Sequence, residues 1–165
     1  MRYDDAMIDP ALGAVVASGI AAVLIGMVWY HPKIFGSAWA AMSGITPEMQ
    51  DKAKRRMPFM AFIGFLAAML VAYVMSYVSA AWGFYEWKGG IQLGIWLWLG
   101  FIAPTMLGMV LWEMKPFRLY LINSLYWLVT LLVMAQMIVF AYGLQYSTYS
   151  NSGANADTSG AYGLE

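Results

Sequence analysis

An all-α integral membrane protein with four transmembrane helices is the fold class the sequence predicts, and three observations predict it. The 165 residues are 62% hydrophobic and only 11% charged, where soluble domains hold about 45–50% apolar and about 25% charged residues. The chain contains four apolar runs of more than twenty residues. At about 1.5 Å per residue each is long enough to cross a hydrocarbon core of roughly 30 Å. None of the runs carries an ionisable side chain away from its ends.

The first span is expected from about Pro10 to Tyr30. It follows an acidic start, with Asp4, Asp5 and Asp9, whereas a cleavable signal opens on a basic region and has a shorter apolar core. The run is therefore expected to stay in place as a helix. The second span is expected over Met57 to Trp82, the third over Ile91 to Trp112 and the fourth over Phe117 to Tyr142. The loop over residues 31–56 is long enough for structure of its own. Ile34, Phe35, Ala38, Trp39 and Met42 fit one side of a short interfacial helix. Thr46, Pro47 and Glu48 then read as an N-cap, a first-turn proline and an early acid. The helix they start should carry Lys52 to Arg56 into the second span, with Pro58 bending the junction. Residues 1–145 form the membrane domain in this reading. Residues 146–165, rich in Ser, Gly, Asn and Ala, are expected to form a flexible polar tail that cannot bury a core.

Basic residues set the expected orientation. Seven of the nine Lys and Arg lie in the first and third loops: Lys33, Lys52, Lys54, Arg55, Arg56, Lys115 and Arg118. Arg2 and Lys88 lie on the other side. The bias places those two loops in the cytoplasm and both termini outside. The cluster Lys52 to Arg56 serves as a topology determinant, with contact to anionic headgroups or a partner as the sharper reading. Trp29, Tyr30, Trp39 and Trp112 on one side, with Trp82, Tyr85 and Trp87 on the other, form the aromatic belts expected at both interfaces. Trp96, Trp98 and Trp127 lie deeper, where packing explains them better than stacking on a ligand.

Rows of small residues predict helix seams. The first span has Ala14, Ser18, Ala22 and Gly26, the second Gly64, Ala68 and Ala72, and the third Gly100 and Gly108 on either side of Pro104. In lipid such rows let backbones approach closely, inside one bundle or between protomers.

Two segments echo each other at an offset of 82 residues. Gly26, Met27, Val28, Lys33 and Phe35 match Gly108, Met109, Val110, Lys115 and Phe117, and Glu113 stands where the first copy has His31. With two spans in each half, this reads as a parallel repeat of similar helix pairs related by a pseudo-twofold axis along the membrane normal.

Gly26, Trp29, Tyr30, Pro32, Phe35, Gly36 and Trp39, then Leu111, Trp112 and Glu113, then Leu121, Ile122, Asn123 and Tyr126 resemble the bacterial family called domain of unknown function 1761. The resemblance covers about residues 10–142. It implies a small four-helix membrane protein and brings no established activity. Where the family's usual pattern has a small polar residue between Tyr30 and Pro32, this chain has His31, so His31 draws no role from the resemblance. Glu113 does, through the carried-over motif at Leu111, Trp112 and Glu113.

Several function classes recede. Zero net charge gives no electrostatic footprint for nucleic acid. The absence of cysteine excludes disulfides, thiolate metal sites and a cysteine nucleophile. No histidine cluster, facing carboxylate pair or phosphate-binding glycine loop stands out, so no cofactor and no enzymatic activity are expected. Two candidate sites remain. His31 and Glu113, brought together by the repeat, would make a proton-responsive pair. The polar set of the fourth span, Asn123, Ser124, Tyr126, Thr130 and Gln136, would either hydrogen-bond between helices or line a narrow path. No acid or base lies at mid-depth, which argues against a pump. The expected function is structural or accessory, as a homo-oligomer or a subunit of a larger membrane complex. The alternative is an oligomeric channel or carrier for a small neutral or weakly polar solute.

Overall fold

The structure, a computed structural model, describes residues 12–161. The acidic start, Arg2 and the expected beginning of the first span at Pro10 lie outside the described residues, as do 162–165. Among the described residues every element is helical, and four helices are long and apolar enough to cross a membrane: Leu12–Trp29, Pro47–Trp82, Trp87–Leu111 and Phe117–Gln145. That is the architecture of a multi-pass membrane protein.

Helix α1 covers Leu12–Trp29 and is apolar around its whole circumference, as a helix facing both lipid and protein must be. The chain leaves it at Tyr30. Pro32 opens a π-helical turn, Pro32–Gly36, and the short helix α2, Ser37–Met42, follows, in the loop where a short helix is expected. Helix α3 covers Pro47–Trp82 and begins as its sequence requires: the Thr46 hydroxyl accepts from the Met49 N–H, and Pro47 occupies the first turn. It continues through Pro58 and ends at Gly83, whose φ of 67° suits a residue without Cβ. There the Gly83 N–H bonds the Ala80 carbonyl and the Phe84 N–H bonds the Ser79 carbonyl, satisfying two carbonyls that the helix end leaves open.

The third span is not one uniform helix. Helix α4, Trp87–Leu97, passes into a π-helical turn, Trp98–Ile102, and then into α5, Ala103–Leu111. Pro104, which has no N–H to donate, directly follows this widened turn, and the Ala103 N–H reaches back to the Trp98 carbonyl. Helix α6 covers Phe117–Ala161. The backbone stays helical past residue 145, through the polar stretch to Ala161. No proline follows Phe117, and each residue added to an existing helix adds a hydrogen bond without a new nucleation cost.

Helix α6 is the hub, packing against α1, α3 and α4. Ala72, Met75, Leu93, Met134, Ala135 and Ile138 are fully buried at the core between these spans. Among the predicted seam residues, Ser18, Ala22, Ala68 and Ala72 are buried, and Ala14 and Gly26 are half-buried. Gly64 and Gly100 instead face out of the bundle, with nothing within 4 Å of where a Cβ would stand, and Gly108 meets only Trp112 of its own span. The tight approaches lie at other glycines. A Cβ on Gly94 would come 3.0 Å from the Leu132 Cα, and one on Gly19 would press on Met69 and Phe65. Within the two halves α1 packs on α3 much as α4 packs on α6, whereas between them α1 lies extensively against α6 and α3 touches α4 only lightly.

Candidate functional site

Two of the three stretches that carry the family resemblance, residues 26–39 and 121–126, fold onto one another at the end of α1, whereas Leu111, Trp112 and Glu113 are exposed. There α1 stops at Trp29, the chain turns at Tyr30, and α2 and the first turns of α6 close around the turn. The indole N–H of Trp29 donates to the Ile122 carbonyl at 3.0 Å, and the Tyr30 hydroxyl donates to Asn123 Oδ1 at 3.0 Å. One helix turn along α6, the Tyr126 hydroxyl donates to the Ala22 carbonyl of α1 at 3.4 Å. It also lies 3.3 Å from where a Cβ on Gly26 would be, so the small residue at 26 admits the phenol.

Rings fill the space between these bonds. Tyr30 packs against Tyr126 with centroids 5.2 Å apart and edge-on against Trp39 of α2 at 5.3 Å. Trp29 packs on Phe35 at 4.7 Å, inside the range where aromatic pairs attract beyond their burial. The π-helical turn that delivers Phe35 depends on Gly36. A Cβ there would overlap the Tyr30 carbonyl oxygen, and the Gly36 and Ile34 N–H groups both bond the His31 carbonyl. The Ser37 hydroxyl closes the turn on the Pro32 carbonyl at 2.8 Å.

His31 itself is exposed. Its Nδ1 accepts from the Lys33 N–H at 3.2 Å, so the imidazole caps the π-helical turn. Glu113 is exposed as well, in the bend between α5 and α6 where Met114 takes a positive φ of 54°. Among the described residues no hydrogen bond or ion pair joins His31 to Glu113, and the one ion pair is Lys54 with Asp51. The chain brings together Tyr30, Asn123 and Tyr126 instead.

The remaining polar groups of α6 are bound where they stand. Thr130 is buried and donates to the Tyr126 carbonyl at 2.8 Å. Ser124 accepts from the Trp98 indole through its carbonyl at 2.8 Å and its hydroxyl at 3.1 Å. Gln136 donates to the Trp87 carbonyl at 2.8 Å and lies against Gly90. No group of three His, Cys, Asp or Glu that could hold a metal ion occurs among the described residues.

Sequence reasoning marked Asn123 and Tyr126 but not their partners. Trp29 and Tyr30 read there as interfacial anchors, and only their place in the family pattern beside Leu121, Ile122 and Asn123 hinted at the pairing. Neither a curated protein nor a solved structure gives a significant match. The family described as a protein of unknown function (DUF1761) matches residues 13–139, a stretch that holds every residue of the cluster. On that match, which covers most of the sequence, the chain belongs to the DUF1761 family.

Proposed function

We propose that the protein is a structural or accessory component of the bacterial inner membrane, working as a homo-oligomer or as a subunit docked to a larger membrane assembly. One observation carries this reading. The polar side chains that α6 brings into the bundle are bonded to protein: Asn123 to Tyr30, Ser124 to Trp98, Thr130 to the Tyr126 backbone and Gln136 to the Trp87 backbone. Asn123, Ser124 and Gln136 thereby tie α6 to other segments, while Thr130 bonds its own helix; groups engaged in this way brace the bundle and do not line a path for solute. Gly64 and Gly100, facing outward with open space beside them, support the docking half of the reading. A glycine on a helix face costs helix stability, and close approach of another helix would compensate.

The positive-inside bias supports cytoplasmic first and third loops with both termini outside. The chain has no cysteine, so Gly100→Cys introduces a single thiol. Oxidative cross-linking in native membranes should trap a dimer or an adduct with another membrane protein through that position, whereas the lipid-facing control Phe140→Cys should not. Equal cross-linking at both positions would overturn the docking face. Flux of a small neutral solute through proteoliposomes of the parent protein, lost in Asn123→Ala, would favour a carrier instead.

A further inference from the structure

We infer that the cytoplasmic end of α3 is a binding site for an anionic phospholipid, with Lys52, Arg55 and Arg56 holding its phosphate and the turn below holding its acyl chains. No charge occurs from Met57 to Trp82, so Arg55 and Arg56 are the first charged groups where this helix emerges from the apolar layer. Lys54 is occupied, bonded to Asp51 at 3.0 Å. Lys52, Arg55 and Arg56 are exposed and make no ion pair among the described residues. Spacings of three and four residues put the three on one side of α3, one turn above Phe59 and Met60.

An open groove of about 520 Å³ runs between them, lined by Lys52, Ala53, Arg55, Arg56 and Met60. Phe59 is 68% exposed and Met60 59%, and Ile63 continues the apolar strip a turn further down. Cationic groups above and an uncovered apolar strip below complement an amphiphile with an anionic head. Arginine adds selectivity, because its planar fork matches phosphate oxygens two at a time. A topology signal alone needs positive charge near the membrane. It does not need two adjacent arginines left without carboxylates over a matched apolar strip.

The test uses the full chain in mild detergent, with retained lipid read by native mass spectrometry and thermal midpoint by tryptophan fluorescence. The probes are dioleoylphosphatidylglycerol, dioleoylphosphatidylcholine and inorganic phosphate. Phosphatidylglycerol should be retained and should raise the midpoint, while the other two should not. Lys52→Gln/Arg55→Gln/Arg56→Gln should weaken retention roughly a hundredfold, from the attraction of each basic residue for an anionic surface. The charge-keeping variant Arg55→Lys/Arg56→Lys, which controls for folding, should retain lipid within about tenfold of the parent. Lys115→Gln/Arg118→Gln, in the other basic loop, should leave retention within about threefold. Unchanged retention in the triple variant, or an equal loss in the Lys115/Arg118 pair, would overturn the site. So would equal retention of phosphatidylcholine, and stabilisation by inorganic phosphate to the same degree would make it a soluble-anion site.

Discussion

Tyr30 donates its phenolic hydrogen to the Asn123 side chain at 3.0 Å, across 93 residues of sequence. The bond ties the end of the first span to the second turn of the last, and the Trp29 indole ties the same two segments one residue away. In lipid such a bond replaces one that no water would supply, and its measured worth between membrane helices averages about 0.6 kcal/mol, reaching about 2. A double-mutant cycle with Tyr30→Phe and Asn123→Ala should therefore give a coupling of about 0.5–2 kcal/mol. Strictly additive losses would show that the two side chains do not hold each other.

Gly36 should be the least replaceable glycine of the cluster. Its missing Cβ is what lets the π-helical turn close on the Tyr30 carbonyl, and a backbone oxygen cannot swing aside as a side chain would. Gly36→Ala should lower stability by about 1–3 kcal/mol, read as a thermal midpoint in detergent. Gly13→Ala, in open space on α1, should be neutral or stabilising by about 0.5–1 kcal/mol. Equal effects at both positions would contradict the geometry.

Ser18 offers a prediction of opposite sign. Its hydroxyl is fully buried in the seam of α1 and has no hydrogen-bond partner among the described residues. A buried hydroxyl left in this state costs about 1–3 kcal/mol, so Ser18→Ala should raise the thermal midpoint. Thr130→Ala, which removes a hydroxyl that is bonded and opens a small void, should lower it. A fall in both would mean that Ser18 has a partner in the working protein.

Topology is testable because the parent chain has no cysteine. Glu48→Cys and Glu86→Cys place exposed thiols in the first turn of α3 and just before α4. A membrane-impermeant maleimide applied to intact spheroplasts should label position 86 and spare position 48. The reverse pattern would invert the orientation and move the basic end of α3 outside.

The spans and the start of α3 were readable because their causes are local. A long apolar run needs only its own length to declare itself, and Thr46, Pro47 and Glu48 cap a helix with atoms a few residues apart. The seams were legible in α1 and, apart from Gly64, in α3, but not in the third span. Helices in lipid are apolar on every side, so a row at Gly100 and Gly108 cannot announce which way it faces. The actual contact of that span with α6 falls on Gly90 and Gly94. The expected pairing of His31 with Glu113 rested on symmetry between the halves, and among the described residues no ion pair joins the two. Tyr30 and Asn123 were each visible in their own stretch. Their contact depends on where α1 ends and how α6 passes it, which no local pattern encodes.

The proposed docking requires the 18.4 kDa chain to associate through outward-facing positions such as Gly100. The most direct measurement is the mass of the protein extracted from native membranes into lipid nanodiscs without detergent, read by native mass spectrometry. A multiple of the chain mass, or a complex with a co-extracted membrane protein, is the predicted result, with a shift toward the single chain in Gly100→Leu. A parent protein that emerges as a single chain with no protein partner would contradict it.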